Sequence, residues 1–210
     1  MKFIEARTIT KRFRKNTVLQ HISLSLEKGK IYGFQGINGS GKTMLFRALL
    51  GLIQVNEGAI YIKGERLQRS KPFPVRAGVL LENPGFIKEF TGRKNLQLLA
   101  SLQKDTSNAD ITSLLQEVGL QPDDPRKVKK YSLGMKQKLG IAQALLGSPE
   151  FIVLDEPTNA LDENSLTALE NLLHAYKRAG ATLCIASHDK AFLQRMSDQI
   201  FTIHEGTLTS

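Results

Sequence analysis

The chain has 210 residues, and 41% of them are hydrophobic, which excludes a disordered chain and suits one large domain or a core with a subdomain. The chain has no run near the roughly 18 apolar residues of a membrane-spanning helix and no apolar secretory signal at its start, so we expect a cytoplasmic protein. The formal net charge of +9 fits nucleic acid, anionic lipid or nucleotide phosphate as a partner, and charge alone does not choose among them.

The first quarter of the chain predicts strands followed by a loop and a helix. Residues 3–8 and 18–26 alternate apolar and polar side chains, which predicts an antiparallel pair of strands. The apolar run 31–34 then enters a glycine-rich loop, and residues 42–52 have the apolar spacing of a helix. A buried strand therefore leads through a glycine-rich loop into a helix.

The middle of the chain changes from strand to helix. Residues 78–81 are another short apolar strand, and Asn83-Pro84-Gly85 has the composition of a turn. Helices are predicted over residues 95–102, 110–118 and 132–146, the last two closed by Gly119 and Gly147. We therefore expect a helical subdomain over residues 84–146.

The final quarter alternates strands with helices. Strands are predicted at 151–154, 182–187 and 200–203, with a helix over 163–179 and a shorter one before the last strand. Such alternation is typical of a mostly parallel sheet with helices on its faces.

Residues 36–43, Gly-Ile-Asn-Gly-Ser-Gly-Lys-Thr, fit the phosphate-loop pattern Gly-x-x-x-x-Gly-Lys-Ser/Thr, between a predicted strand and a predicted helix. Glycines let the backbone wrap closely around a phosphate, and the helix N-terminus adds a positive dipole end. Lys42 should reach the β- and γ-phosphates, and the Thr43 hydroxyl should ligate the Mg²⁺ that bridges them. The predicted nucleotide-binding residues here are Gly36, Asn38, Gly39, Ser40, Gly41, Lys42 and Thr43.

Two carboxylates follow the apolar strand 151–154, as in the Walker B motif. Asp155 is predicted to hold Mg²⁺ through water, and Glu156 to orient and deprotonate the attacking water. Alone, the pair fits solvated acids at a strand end equally well. The phosphate loop favours the catalytic interpretation.

Further motifs resemble those of the ABC transporter ATPases. Residues 131–137, Tyr-Ser-Leu-Gly-Met-Lys-Gln, resemble the family's signature motif, usually Leu-Ser-Gly-Gly-Gln. Residues 155–162 resemble its Walker B motif and D-loop, and Ser187-His188-Asp189 resembles its switch histidine. Other classes of phosphate-loop NTPase do not combine these motifs in this order.

The resemblance implies an α/β fold: a RecA-like P-loop NTPase core with a mostly parallel sheet, an N-terminal antiparallel β subdomain and an inserted helical subdomain. One ABC ATPase domain would span residues 1–210, with 1–83 and 147–210 as the catalytic core and 84–146 as the helical signature subdomain. It also implies hydrolysis of ATP with Mg²⁺, coupled to transport by membrane-spanning partner subunits at the inner face of the cell membrane. Binding to nucleic acid is not expected.

The resemblance further assigns roles at the nucleotide. Ser132 and Gly134 would contact the nucleotide held by a second ATPase subunit, expected to be another copy of this chain, while Ser132 also caps its own helix. His188 would bond the γ-phosphate and help to align Glu156 and the water; a strand-end histidine is the alternative. Phe13 would stack on adenine, and a surface aromatic among basic neighbours is its alternative.

Two positions depart from the family pattern. Glu82 stands where most members have glutamine, and we predict that it ligates or faces Mg²⁺, with a full negative charge near the γ-phosphate. Leu133-Gly134-Met135 replaces Gly-Gly-Gln, and leucine cannot adopt every backbone conformation open to glycine. Together these departures resemble a subgroup of bacterial exporter ATPases linked to bacitracin and lantibiotic resistance.

The segment 84–90 lies where the family receives a short helix of the membrane partner. Phe86, Ile87 and Phe90 are apolar enough to line such a groove, although local core packing explains them equally well. The competing functions are a soluble ABC protein acting on nucleic acid or ribosomes, a non-catalytic ABC subunit, and an unrelated phosphate-loop kinase or GTPase. The motifs disfavour each of them.

Overall fold

The computed structural model describes residues 2–14, 16–82, 85–103 and 106–209, which form ten strands in two sheets and six α-helices. The strands are β1 (Lys2–Phe13), β2 (Asn16–Glu27), β3 (Ile31–Gln35), β4 (Glu57–Ile62), β5 (Glu65–Arg66), β6 (Ala77–Leu80), β7 (Phe151–Asp155), β8 (Thr182–Ala186), β9 (Gln199–His204) and β10 (Thr207–Thr209). The helices are α1 (Lys42–Leu49), α2 (Gly92–Ala100), α3 (Asn108–Glu117), α4 (Leu133–Leu145), α5 (Glu163–Arg178) and α6 (Lys190–Met196), with a 3₁₀ turn at Val128–Lys130. The predicted turn residues Asn83 and Pro84 lie outside the described ranges.

The N-terminal sheet is antiparallel, in the order β2-β1-β4-β5. Its first pair is the predicted one, with Ala6 opposite the buried Leu24. The sequence does not predict β4 and β5, because the polar and glycine residues 54–58 indicate a loop. Strand β4 forms because Ile60 and Ile62 pair with the second edge of β1 and bury their side chains there.

The second sheet has the order β10-β9-β3-β8-β7-β6. Over the described residues the short edge pair β10–β9 is antiparallel and the remaining pairs are parallel. The predicted α/β fold with a mostly parallel sheet is therefore confirmed. Parallel strands place their carboxyl ends at one edge, which brings together the loops that follow Gln35, Asp155 and Ala186.

Alternate residues of the buried strands face two different cores. Phe151 and Val153 of β7 pack on the side of α1 and the N-terminal sheet. Ile152 and Leu154 pack on the opposite side, against the helices that follow β6. The parallel sheet is thus a central layer covered on both faces, which accounts for strands that are apolar throughout.

The helices begin and end close to where the sequence predicts. Ser107, Ser132 and Asp162 each accept a hydrogen bond from the backbone N–H three residues later, at the start of α3, α4 and α5. Helix α2 begins at Gly92, earlier than the predicted residue 95, because Thr91 caps it in the same way. None of the helices in the described ranges is long and apolar enough to cross a membrane.

Candidate active site

A cavity of about 570 Å³ opens at the carboxyl edge of the parallel sheet. It lies between the loop after β3 and the residues that follow β7, because those strands end at the same edge. Of the residues predicted from sequence, its lining includes Asn38, Gly39, Gly41, Lys42, Thr43, Glu82, Asp155 and Glu156. The phosphate loop and the two carboxylates therefore line one cavity, although more than a hundred residues separate the loop from the carboxylates in the chain.

Lys42 is buried at the first position of α1, with 6% of its surface exposed. Its Nζ donates to the carbonyl oxygens of Gly36, at 2.7 Å, and Ile37, at 3.2 Å. A buried ammonium held by neutral carbonyls is desolvated without a full counter-charge, so an incoming phosphate oxygen is a better acceptor. The Lys42 ammonium can therefore exchange these carbonyl acceptors for the oxygens of a bound anion.

Glycine is required at two positions of the loop for steric reasons. A Cβ on Gly36 would collide with the Ile203 carbonyl oxygen and would lie 2.7 Å from Ser40 Oγ. Gly41 has a φ of 112°, and a Cβ there would lie 2.9 Å from the Val18 carbonyl oxygen. Within the described chain the buried Ser40 hydroxyl has no hydrogen-bond partner, so it remains able to donate to a ligand.

Thr43 and Asp155 meet across the cavity, where Thr43 Oγ1 donates to Asp155 Oδ2 at 2.5 Å. Burial raises the pKa of Asp155 above its ordinary value, and the charges of Glu156 and Glu82 raise it further, against the Thr43 hydrogen bond. Two oxygen ligands in a negatively charged surrounding suit Mg²⁺. Among the described residues no group of three or more His, Cys, Asp or Glu could hold a metal ion.

Glu156 occupies a left-handed backbone conformation, with a φ of 52°. Such a conformation is costly for a non-glycine residue and persists where other contacts hold it. Its N–H donates to the Ala186 carbonyl at 2.8 Å, and its own carbonyl accepts from Gln137 Nε2 at 2.9 Å. These bonds tie the turn after β7 both to β8 and to α4. Gln137 was missed by the sequence reasoning, although it lies inside the signature-like segment.

The Glu156 carboxylate reaches His188, which follows β8. Oε2 accepts from the His188 backbone N–H at 3.3 Å and lies 2.8 Å from Nδ1 of the exposed imidazole. Oε1 is buried and has no partner among the described residues. One carboxylate oxygen is therefore oriented by the histidine, and the other remains available as an acceptor.

The signature-like segment begins helix α4 beside this cavity. Ser132 Oγ accepts the Met135 N–H at 3.1 Å, so the predicted capping role is present. A Cβ on Gly134 would lie 2.7 Å from the Ala160 carbonyl oxygen, which explains glycine at that position. Leu133 is the first residue of the helix and needs only helical angles, so the expected conflict with leucine is absent. Its side chain is 68% exposed and lines the cavity, whereas Ser132 and Gly134 do not.

Phe13 and Glu82 lie at the margins of the site. Phe13 ends β1 with an exposed ring, and Lys11 Nζ lies 4.6 Å from the ring centroid. It does not line the cavity. Glu82 lines it, but its Oε1 accepts a hydrogen bond from Arg47 at 3.0 Å, a partner that the sequence does not reveal.

The apolar side chains of residues 85–90 lie in two different environments. Pro84, before them, is outside the described residues. Phe86 is partly buried against the core on the helical side of the sheet. Ile87 and Phe90 are 46% and 36% exposed. The buried amide of Asn95 holds this loop, since it accepts from the Ile87 N–H at 2.8 Å and donates to the Ile87 carbonyl at 3.1 Å.

Comparison with known proteins is consistent across sequence and structure. The family described as ABC transporter matches residues 19–159. The uncharacterized ABC transporter ATP-binding protein YybJ of Bacillus subtilis (strain 168) is 44% identical over 205 residues, covering 98% of this chain and 94% of that protein. The bacitracin transport ATP-binding protein BcrA of Bacillus licheniformis is 40% identical, covering 98% of this chain and 68% of that protein. A solved ATP-binding subunit of an ABC transporter superposes with a TM-score of 0.83 at 24% identity, covering 99% of this chain and 88% of that one.

Proposed function

This chain belongs to the ABC transporter family of ATP-binding proteins, which hydrolyse ATP to drive transport, and we propose that two copies of it enclose the nucleotides beneath membrane-spanning partner subunits. The observation that carries the proposal is the cavity itself. It joins a phosphate loop, the Thr43–Asp155 oxygen pair and a general-base candidate, Glu156, whose second oxygen is oriented by His188.

The phosphate loop supplies the binding energy for the triphosphate. Lys42 turns from the loop carbonyls to the β- and γ-phosphate oxygens, and the Ser40 hydroxyl donates to the same group. The N–H groups of the loop and the first turn of α1 add further donors, aided by the helix dipole. Mg²⁺ held by Thr43 and, through water, by Asp155 would offset the charge that develops on the phosphates.

Glu156 is assigned as the general base. Its free Oε1 accepts a proton from the attacking water, while Oε2 keeps its bond to His188. Such a base contributes roughly 10²–10⁴ in rate. His188 lies exposed after β8, and in its protonated form both ring nitrogens donate, Nδ1 to Glu156 and Nε2 to the γ-phosphate, which would align the phosphate with the water.

The second copy supplies what the first one lacks. Ser132 and Gly134 lie outside the cavity of their own chain, at the exposed start of helix α4. A serine hydroxyl and free N–H groups at a helix N-terminus suit the phosphate of a nucleotide held by the facing copy. The exposed Leu133 beside them would be buried by the same contact. We assign residues 84–146 as the subdomain that carries these groups, and 1–83 with 147–210 as the core.

Phe13 would stack on adenine. Its ring is exposed at the end of β1, and stacking requires only a ring face. Lys11 lies over the ring at 4.6 Å, so the other face is the one available to the base, and the ammonium adds attraction to the phosphates.

The relatives and the exposed apolar side chains support a proposal for the partner and the cargo. We propose that membrane-spanning subunits dock on the exposed Ile87 and Phe90, which places the chain at the cytoplasmic face of the cell membrane. Similarity to a bacitracin transport protein favours export of a peptide antibiotic. A soluble ABC protein acting on nucleic acid or ribosomes is the alternative, and the similarity to transport proteins disfavours it. No nucleic-acid partner is proposed.

The proposed ATP-bound dimer can be tested with Glu156→Gln. This variant lacks the general base, so it should bind ATP without hydrolysing it. In saturating Mg-ATP this variant should form a dimer in size-exclusion chromatography with light scattering, and it should dissociate when ATP is removed. Adding Lys42→Ala should abolish the dimer, because the triphosphate is then bound weakly. A variant that stays monomeric in Mg-ATP, even with its membrane subunit supplied, would contradict the proposal.

A further inference from the structure

An ion pair joins two neighbouring cavities of the chain. Arg47 lines a groove of about 430 Å³ together with residues such as Leu52, Leu81 and Gln143. Glu82 lines the nucleotide cavity instead. The two side chains meet across the boundary, with an Arg47 guanidinium nitrogen 3.0 Å from Glu82 Oε1.

Helix α1 places this arginine close to the metal oxygens. Arg47 follows Thr43 by four residues, so both side chains project from one face of the helix, with Cβ atoms about 5–6 Å apart. Thr43 in turn contacts Asp155. A carboxylate that bonds Arg47 can therefore reach the Thr43–Asp155 oxygens by a movement of about one helical turn.

The ion pair is weak enough to be exchanged. The Arg47 and Glu82 side chains are 35% and 59% exposed, and pairs of this kind contribute little to stability in water. A divalent cation attracts a carboxylate more strongly than a guanidinium does at equal distance, because its charge is doubled. Glu82 would therefore leave Arg47 once a divalent metal is held beside it.

We propose, on the basis of the function proposed above, that Arg47 is a positioning residue for Glu82. Arg47 holds the Glu82 carboxylate off the Thr43–Asp155 oxygens and offsets its charge while no metal is present. Glu82 moves to the metal side when Mg²⁺ is held there, and Arg47 is released toward the groove. The ion pair thus reduces the electrostatic repulsion between the Glu82 carboxylate and an incoming triphosphate when no metal is present.

The test measures binding rather than turnover. A fluorescent ATP analogue with an imido group between the β- and γ-phosphates is titrated in excess EDTA and, separately, in excess Mg²⁺. The variants are Arg47→Met, Glu82→Gln and the double variant, with Arg47→Lys as the conservative change. Arg195→Met serves as the matched control, because it also breaks an exposed Arg–Glu pair, that with Glu170, away from the cavity. Thermal melting checks that each variant is folded.

Arg47→Met should weaken binding in EDTA by about three- to tenfold, since Glu82 then repels the triphosphate without an offset. Binding in Mg²⁺ should change by less than about twofold, because the metal then offsets the carboxylate. In the Glu82→Gln background, Arg47→Met should leave the ratio of the two dissociation constants unchanged. Arg47→Lys should retain most of the wild-type ratio, and Arg195→Met should retain all of it.

Equal weakening in EDTA and in Mg²⁺ would overturn the inference, because Arg47 would then act as a general attractor of phosphate. The inference would also be overturned if Arg47→Met changed the ratio of the two dissociation constants by the same factor in the wild-type and in the Glu82→Gln backgrounds. Failure of the wild-type chain to bind the analogue in either condition would overturn the proposed function as well, so the two failures are distinguishable.

Discussion

His188 Nδ1 lies 2.8 Å from Glu156 Oε2, and the His188 backbone N–H donates to the same oxygen at 3.3 Å. The two residues follow β7 and β8, which pair in parallel and end at the same edge of the sheet. An ionised carboxylate accepts only, so Nδ1 carries the hydrogen in this contact and Nε2 remains free to face a ligand.

His188→Ala should lower kcat for ATP hydrolysis by roughly 10²-fold, since the base loses its orienting partner. The dissociation constant for ATP should change by less than about threefold, because the phosphate loop is untouched. Phosphate release and equilibrium nucleotide binding measure the two quantities. His204→Ala, at an exposed position that ends β9, is the control. Equal losses in binding and turnover would argue against the orienting role.

The pH dependence of stability should show that Asp155, the proposed metal ligand, is buried at a cost when it is ionised. Burial raises the pKa of Asp155, so its ionised form is disfavoured in the folded chain at neutral pH and the penalty disappears towards its ordinary pKa of 3.8. Without nucleotide or metal, Asp155→Asn should therefore raise Tm at pH 7, by about 2–4 °C per kcal/mol gained. The gain should fade as pH falls towards 4.

Asp124→Asn is the matched control, and its expected change in Tm at pH 7 is opposite in sign to that of Asp155→Asn. Arg126 hydrogen-bonds the Asp124 carboxylate and lowers its pKa, so this group stabilises the fold above its ordinary pKa of 3.8. That stabilisation is lost as pH falls through the lowered pKa. Asp124→Asn should therefore lower Tm at pH 7, with a smaller loss in acid. If both variants moved Tm in the same direction at pH 7, the assignment of Asp155 would be wrong.

Gly134→Ala tests whether close packing or helix propensity decides the residue at position 134 of the signature-like segment. Alanine favours a helix over glycine by about 1 kcal/mol, yet its Cβ would lie 2.7 Å from the Ala160 carbonyl oxygen. Displacement of the residues near Ala160 should impair the ATP-dependent dimer and lower turnover by about tenfold, with little loss of stability. Gly85→Ala should have no effect, because among the described residues no atom beyond the chain neighbours lies within 4 Å of the added Cβ. A normal dimer in the Gly134 variant, seen by light scattering, would refute this prediction.

The apolar segment after Glu82 should separate into a packing residue and a docking residue. Phe86→Ala should lower the free energy of unfolding by about 2 kcal/mol, because its ring packs against the core. Phe90→Ala should leave Tm and the basal ATPase activity nearly unchanged, because its ring is partly exposed, and should weaken coupling to the membrane subunit. Thermal melting, ATPase assays and transport assays measure these effects. Loss of folding in Phe90→Ala would instead place both residues in the core.

The sequence alone determined the chemistry that is encoded in short contiguous segments. The phosphate loop at 36–43 and the carboxylates after β7 are recognisable because their geometry depends on neighbours a few residues away. The same holds for helix ends, since the predicted closing glycines Gly119 and Gly147 both adopt left-handed conformations. Strand and helix periodicity likewise indicated the α/β class.

The tertiary structure decided everything that depends on segments distant in the chain. Strands β4 and β10 form because a partner edge is available, which no local pattern reports. The contacts of Gln137 with Glu156, and of Arg47 with Glu82, join residues 19 and 35 positions apart and arise only when α4, α1 and the sheet pack together. The partial burial of Phe86 and the exposure of Phe90 have the same origin, because side chains of one loop meet different surroundings once the helices are placed.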